Sequence, residues 1–214
     1  MLRKRTLRTV KRSSGGVVRS RVGVKSWTAR EPSPDEVRPA SCPSCEAASR
    51  PIGGKLVLVG HGHRGRQLQG PSEADGEPAL ALLRLQRFLC ESCGVACTVG
   101  PRELVTRRLF SLPAIAWALA LSGLEREPAA AVRRRVSPWT VVGPCAAAGW
   151  CTLRRWIRAV RAGRLLACVR GVPAAFTARQ SAERVATTVA AHAPPSPEPP
   201  SLSAQAFLGA AQAW

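Results

Sequence analysis

Hydrophobic positions recur at helical spacing in three segments of the second half of the chain. The first, Ser111 to Gly123, is apolar throughout, with a candidate N-terminal cap at Ser111, Pro113 in the first turn and Gly123 at the end. A shorter helix is predicted over Glu127–Val136 and a third over Trp150–Gly163. Together they predict a small helical bundle with the first helix at its centre.

The third segment has one apolar and one basic face. Its apolar residues recur at three- and four-residue spacing, and arginines occupy the remaining surface. They are Leu153, Trp156, Ile157 and Val160, and Arg154, Arg155, Arg158 and Arg161. Following a short turn, such a helix is typical of the recognition helix of a helix-turn-helix, whose guanidinium groups contact phosphates and guanine edges. Two alternatives to DNA recognition remain for this helix: its basic face is simply solvated, or it contacts anionic lipid or protein.

Two strands are predicted in the first half of the chain. They cover Lys55–Val59 and Ala79–Leu89, and the polar stretch Gln69–Glu77 between them predicts a loop. In the second strand, Leu83 and Leu85 lie on one face and Arg84 and Gln86 on the other.

Composition divides the chain further. Glu31–Pro39 is a linker of Pro, Ser and acidic residues, and Pro194–Pro200 is a polyproline spacer that no helix interior would tolerate. Ser201–Trp214 is compatible with a short amphipathic helix. The predicted domains are a disordered basic arm with linker (1–40), a zinc ribbon (41–100), a helical helix-turn-helix domain (101–192) and a Pro-rich tail with a short terminal helix (193–214).

The charge of this 214-residue chain indicates a polyanionic partner. The formal net charge is +19 and the pI is about 11.5, which favours nucleic acid first and a membrane surface second. Residues 1–30 hold ten basic and no acidic side chains, and residues 101–192 hold fifteen basic against four acidic ones. The intervening residues 42–100 are nearly neutral. The N-terminal arm is either a solvated tail or a segment that follows DNA.

The same composition argues against an enzyme. Two-metal phosphoryl transfer needs several carboxylates on a rigid scaffold, and only two Asp are present, Asp35 and Asp75, both in turn-like surroundings. The absence of Tyr excludes a tyrosine nucleophile. His61, His63 and His192 lack a carboxylate in a supporting pattern.

Targeting features do not indicate secretion or a membrane span. The basic N-terminus is not followed by a signal-peptide apolar run, and the apolar stretch 109–124 is shorter than a spanning helix. We therefore expect a cytoplasmic, nucleoid-associated protein, in which eight cysteines indicate thiols or metal before disulfides.

Two Cys-x-x-Cys pairs, Cys42-Pro-Ser-Cys45 and Cys90-Glu-Ser-Cys93, carry the clearest chemistry. Each pair presents two thiolates on one tight knuckle, and two knuckles complete a four-sulfur zinc shell. Gly94 follows the second knuckle, where a side chain would obstruct the turn, whereas Glu46 follows the first. With the two strands, this order predicts a zinc ribbon stabilised by its metal.

Three alternatives to this four-cysteine site remain open. In the first alternative, the pairs are a redox motif, although no helix is predicted after either one. In the second, Cys97, His61 or His63 replaces one of the four ligands. In the third, the four thiols form no common site. Cys145, Cys151 and Cys168 lie outside any knuckle spacing and are predicted to be small buried residues.

Several of these motifs together resemble the N-terminal DNA-binding region of bacterial insertion-sequence transposases. They are the two knuckles, the strand segment Gly60-His-Gly-His-Arg64, the Arg87-Phe-Leu-Cys90-Glu-Ser-Cys93 run and the basic helix. The chain is also similar to short transposase-associated proteins that lack the catalytic domain. The resemblance covers residues 40–170 and implies zinc ligation by Cys42, Cys45, Cys90 and Cys93. It also implies DNA contacts from Arg154, Arg155, Arg158 and Arg161.

The sequence therefore predicts an α+β protein in which a small antiparallel zinc ribbon precedes an all-α helix-turn-helix bundle. We expect a non-catalytic, Zn²⁺-dependent protein that binds double-stranded DNA, with a separate transposase subunit as a further partner. The alternative is a zinc-ribbon adaptor that binds RNA or a protein.

Overall fold

The computed structural model describes residues 17–147 and 149–213. Residues 1–16, the first part of the predicted basic arm, and Trp214 of the predicted terminal helix lie outside the described residues. The strands are β1 (Val17–Arg19), β2 (Leu58–Gly70), β3 (Ala79–Cys90) and β4 (Ala96–Gly100). The helices are α1 (Val24–Ala29), α2 (Pro34–Val37), α3 (Leu112–Gly123), α4 (Ala129–Val136), α5 (Pro144–Ala147), α6 (Cys151–Arg161), α7 (Ala178–Ala190) and α8 (Leu202–Ala210).

Two compact units divide the chain. The first unit extends to Ser20 and includes Pro32–Arg64 and Arg84–Gly100. The second unit consists of Arg21–Glu31, Gly65–Leu83 and the residues from Pro101 onward. Both units are therefore discontinuous in sequence, and β2 and β3 contribute residues to each of them.

The strands form one mixed sheet in the order β1-β4-β3-β2. β1 pairs in parallel with β4, placing Val18 opposite Val99. β3 and β4 are antiparallel, with Phe88 opposite Cys97. The β1–β4 pairing joins positions that are far apart in the chain, so no local hydrophobic pattern predicts it.

The core of the first unit forms where residues 32–38 meet the strands. Ser33 begins α2 with a capping box that includes Glu36. After the helix, the Arg38 guanidinium donates a hydrogen bond to the Leu58 carbonyl and lies 5.1 Å from the centre of the Phe88 ring. Leu58 and Phe88 are fully buried, so this arginine acts as a structural residue.

The predicted strands are right in part. β3 lies within one residue of the predicted Ala79–Leu89, and Leu83 and Leu85 are buried as expected. Gln86 is buried as well, because its side-chain amide donates to the Pro32 carbonyl at 3.0 Å. β2 begins at Leu58, near the end of the predicted Lys55–Val59, and continues through exposed Gly and His residues. This part of the strand has no apolar alternation from which it could have been predicted.

Helix α3 is the centre of the second unit. It begins at the predicted cap, where the Ser111 hydroxyl accepts the amide hydrogen of Ala114 at 3.2 Å, and it ends at Gly123 as predicted. Every residue of α3 except Ser122 is buried, and the helix contacts α4, α6, α7 and α8. In the part of the chain that the structure describes, no helix combines the length and apolar character that crossing a membrane requires.

Small residues allow α3, α7 and α8 to approach closely. Ala120, Ala186, Ala190 and Ala206 form one buried cluster. A Cβ atom added at Gly123 would lie 2.3 Å from the Glu183 backbone nitrogen. One added at Gly209 would lie 2.0 Å from the Val189 carbonyl oxygen. The alanine-rich composition thus has a packing role, because bulkier side chains would force these backbones apart.

The predicted fold class, a zinc ribbon followed by an all-α helix-turn-helix bundle, is wrong. The sheet is four-stranded and mixed, and the second unit contains segments of β2 and β3 as well as helices. Residues 17–40, predicted to be part of a disordered arm, form β1, α1 and α2, and Trp27 and Val37 are buried. Nor does α6 lie at the end of the helical set, because α7 and α8 follow it.

The close approach of α7 and α8 predicts strong sensitivity at Gly209. Gly209→Ala places a methyl group against the backbone of α7, so we expect it to lower the free energy of unfolding by about 3 kcal/mol. Urea denaturation followed by circular dichroism measures this change. Gly60→Ala is the matched control, because a Cβ there meets no atom within 4 Å. Equal stability of the two variants would contradict the packing described.

Candidate metal centre and basic surface

The two Cys-x-x-Cys turns have the same backbone geometry. In the first, the Glu46 amide donates to the Cys42 carbonyl and the Cys42 amide donates to the Ala47 carbonyl, both at 2.9 Å. In the second, the Gly94 amide donates to the Cys90 carbonyl at 2.8 Å and the Cys90 amide to the Val95 carbonyl at 3.0 Å. The two turns are therefore equivalent knuckles.

The residue after each knuckle adopts a left-handed backbone conformation. Gly94 has φ of 72°, and Glu46 has φ of 60°. Only the glycine is favoured there, because a Cβ atom in this region costs about 1–2 kcal/mol. The sequence supported the second knuckle through Gly94 alone, and the structure shows that Glu46 reaches the same conformation at a conformational cost.

The four knuckle sulfurs converge on one point. The Sγ atoms of Cys42 and Cys93 are 3.8 Å apart, those of Cys45 and Cys90 are 3.7 Å apart, and all four lie within 4.8 Å of one another. A tetrahedron with metal–sulfur bonds of about 2.3 Å has edges of about 3.8 Å. The predicted residues Cys42, Cys45, Cys90 and Cys93 therefore form a cluster that could hold a metal ion.

The elements around the cluster explain why the sulfurs meet. Cys90 is the last residue of β3, and the Glu91 amide beyond it donates to the Val57 carbonyl at 2.9 Å. On the other side, the bridge between Ser41 and Ala48 closes the first knuckle. Cys42 and Cys90 are buried, whereas Cys45 is exposed, so one side of the cluster faces solvent.

The thiols of the cluster differ in acidity. Burial raises the pKa of Cys42, but hydrogen bonds from the Ser44 and Cys45 amides outweigh it and lower that pKa to about 7. Burial raises the pKa of Cys93 to about 12, and hydrogen bonding with the neighbouring thiols adds to the increase against the opposing Val95 amide. Because metal ligation requires thiolates, a bound cation would displace protons from this site and would bind more tightly as pH rises.

The proposed substitute ligands lie outside the cluster. Cys97 is buried in β4 opposite Phe88, and burial, followed by the nearby Cys42 charge, raises its pKa. His61 and His63 are exposed on β2, and the Arg84 side chain lies 3.3 Å from His63 Nδ1. Among the described residues, the four knuckle cysteines are the group that the geometry assembles for a metal.

The remaining cysteines were predicted to be small buried residues. Cys151 is instead exposed at the start of α6, and Cys168 is only partly buried. The side chain of Cys145 lies outside the described residues.

Helix α6 has the predicted two-sided character. The four apolar residues predicted to face the core, Leu153, Trp156, Ile157 and Val160, are buried. Trp150 and Trp156 form an edge-to-face pair at 5.0 Å, and Phe110 lies within 5.7 Å of both rings. α3 and α7 are the helices against which α6 packs. This packing holds the polar face outward.

The four predicted DNA-contacting arginines line one surface. With Cys151, Ile157 and Ala178 they surround a shallow concavity of about 430 Å³. Arg154, Arg155 and Arg158 are exposed, and within the described residues their guanidinium groups form no ion pair. Arg161 differs, because its guanidinium donates to the Ser181 hydroxyl and to the Phe176 carbonyl. No local pattern in the sequence indicates that anchoring.

Other arginines are paired inside the protein. Arg135 forms ion pairs with Asp75, Glu125 and Glu127, and its guanidinium lies 4.7 Å from the centre of the Trp117 ring. Burial opposes its charge, but the Glu127 hydrogen bond and the three carboxylates outweigh burial and raise its pKa. These three carboxylates thus serve the structure of the unit, and no carboxylate of the described residues forms an ion pair with Arg154, Arg155 or Arg158.

Comparisons with known proteins add no assignment: no protein-family model, curated protein or solved structure matches the chain.

The equivalence of the knuckles makes a prediction about Glu46. Glu46→Gly removes the cost of the left-handed conformation, so we expect it to raise the free energy of unfolding of the metal-loaded protein by about 1 kcal/mol. Gly94→Ala, at the equivalent position of the second knuckle, should lower it by about 1 kcal/mol. Guanidinium denaturation measures both changes. If Glu46→Gly destabilised the protein, the Glu46 side chain would have to contribute an interaction that outweighs the backbone cost.

Proposed function

We propose that this chain is a zinc-stabilised protein that binds double-stranded DNA through the arginine surface of α6. One observation carries the proposal: Arg154, Arg155 and Arg158 are presented together on a rigid helix, free of ion pairs within the described residues. Unpaired guanidinium groups on a helix surface attract phosphate, and the net charge of +19 supports a polyanionic partner.

Zinc is the metal that best suits the cysteine cluster. A closed shell of four thiolates with tetrahedral edges favours Zn²⁺ or iron among the common biological metals, and Zn²⁺ needs no redox partner. The first unit has a small apolar core, so binding of the ion contributes directly to its folding. We assign zinc a structural role, because four protein ligands leave no open coordination position for chemistry.

DNA is favoured over single-stranded RNA by the placement of the aromatic side chains. RNA readers stack bases on exposed aromatic rings. Trp27, Trp117, Trp150 and Trp156 are buried here, and among the described tryptophans Trp139 is the exposed one. The motifs that the chain shares with transposase DNA-binding regions, the two cysteine knuckles and the basic helix, suggested DNA from the sequence, although the described residues do not form the zinc-ribbon and helix-turn-helix fold of that region. The same resemblance further suggests a separate transposase subunit as a partner and a location at the nucleoid.

Metal analysis tests the zinc assignment. We expect one zinc ion per chain after purification without chelator, measured by inductively coupled plasma mass spectrometry. Cys90→Ser should abolish stoichiometric zinc and unfold the first unit, because it removes one of four ligands. Cys97→Ala is the matched control and should retain one zinc. Purification of the wild-type chain with well under half an equivalent of zinc would contradict the assignment.

The salt dependence of DNA affinity tests the α6 surface. Replacing Arg154, Arg155 and Arg158 together with Gln removes up to three phosphate contacts. We therefore expect the slope of log K against log salt to fall in magnitude by about 2–3. Fluorescence anisotropy with a labelled duplex, measured at NaCl concentrations from about 50 to about 300 mM, gives the slope.

A charge-matched variant separates a specific surface from net charge. Arg134, Arg170 and Arg184 are exposed arginines of the same unit, and changing all three to Gln removes the same charge. This control should leave the slope nearly unchanged. An equal loss in both triple variants would assign binding to net charge, and an unchanged slope in the α6 variant would place binding elsewhere. Tighter binding to single-stranded RNA of equal length would favour the adaptor alternative.

A further inference from the structure

One arginine of the α6 surface is held in place before any ligand arrives. Arg161 Nε and Nη2 donate to the Ser181 hydroxyl oxygen at 3.0 and 2.8 Å, and Nη2 also donates to the Phe176 carbonyl. Ser181 is almost fully buried, and its own hydroxyl donates to the Thr177 carbonyl at 2.9 Å. This network orients the Arg161 guanidinium, so little side-chain entropy is lost when it binds an anion.

Like charges surround this fixed group. Arg154, Arg158 and Arg161 follow one another at spacings of four and three residues and therefore lie on one face of α6. Such pairs of equal charge destabilise a helix by about 0.2–0.5 kcal/mol each. No carboxylate of the described residues forms an ion pair with Arg154, Arg155 or Arg158. An anion in the concavity would relieve this repulsion.

The lining of the concavity suits a phosphate group. Ile157, at the base of the helix face, and Ala178, at the start of α7, give the concavity apolar walls between the guanidinium groups. A volume of about 430 Å³ is ample for a phosphate group with its attached sugar. A guanidinium group can donate two parallel hydrogen bonds to the oxygens of one phosphate, so arginines around a small concave site suit this anion.

We propose that this concavity, formed by α6 and Ala178 of α7, is a binding site for a single phosphate group of the DNA backbone, with Arg161 as its preorganised anchor. The inference rests on the proposed function, since that function supplies the DNA as the source of the phosphate. It also assigns the arginines a role: they position the protein on the duplex and carry no base specificity. Duplexes of different sequence should accordingly bind with similar affinity.

Competition by inorganic pyrophosphate tests the site. A labelled duplex bound to the full-length protein is titrated with pyrophosphate, and in parallel with NaCl at the same ionic strength. With the wild-type protein, pyrophosphate should displace the duplex saturably and at a much lower ionic strength than NaCl. Isothermal titration calorimetry measures its affinity directly in the absence of DNA.

Variants of the anchor separate the site from general charge. Arg161→Lys keeps the charge but loses the planar group that Ser181 and Phe176 orient, so pyrophosphate affinity should fall about tenfold. Ser181→Ala leaves Arg161 held by the Phe176 carbonyl alone and should weaken binding about threefold. Arg170→Gln, an exposed arginine that does not line the concavity, should have no effect. Thermal unfolding confirms that each variant is folded before it is compared.

The outcomes distinguish this site from the proposed function. If DNA binds but pyrophosphate competes no better than NaCl, or if Arg161→Lys and Ser181→Ala bind pyrophosphate like wild type, the phosphate site is overturned and DNA binding stands. If pyrophosphate binds in the expected order of variants but DNA does not, the concavity still binds phosphate, but the DNA-binding function and the assignment of that phosphate to DNA are overturned. Failure of both ligands overturns both.

Discussion

The convergence of four cysteine sulfurs is the constraint on which the first unit depends. Cys42 and Cys45 follow α2, whereas Cys90 ends β3 and Cys93 lies in the turn before β4. These sulfurs therefore join chain segments that the apolar core alone holds through few large side chains, chiefly Leu58, Leu85, Phe88 and Val99. In so small a unit, the free energy of binding a metal ion at this cluster would be on the order of the whole folding free energy.

The knuckles show how this constraint offsets a local cost. Glu46 and Gly94 occupy equivalent left-handed positions, although only glycine favours that conformation. The arrangement persists at Glu46 because the turn must bring two sulfurs and the surrounding amides to one side. The Ser44 amide, 3.4 Å from Cys42 Sγ, is part of the same turn and lowers the pKa of that thiol.

Arginines serve two different purposes in this protein. Arg38 and Arg135 are partly or largely covered, donate to carbonyl or carboxylate oxygens, and lie over aromatic rings. The arginines of α6 instead remain exposed on a helix whose opposite face is held by Trp150, Trp156 and Phe110. With 13 acidic residues against 32 basic ones, internal pairing satisfies only some of the arginines. Among the described residues, Arg154, Arg155 and Arg158 form no ion pair, which supports the polyanionic partner that we propose.

Local patterns in the sequence determined the helix caps, the apolar face of α6 and the four candidate metal ligands. Each of these depends on spacing within a few residues or on a Cys-x-x-Cys turn, as at Ser111, Trp156 and Cys90. Only the tertiary structure decided the mixed sheet, the burial of Gln86, the conformation of Glu46 and the anchoring of Arg161 by Ser181. These features depend on contacts between residues that are distant in sequence, such as the pairing of Val18 with Val99. Packing and backbone hydrogen bonding in three dimensions determine which residues make such contacts.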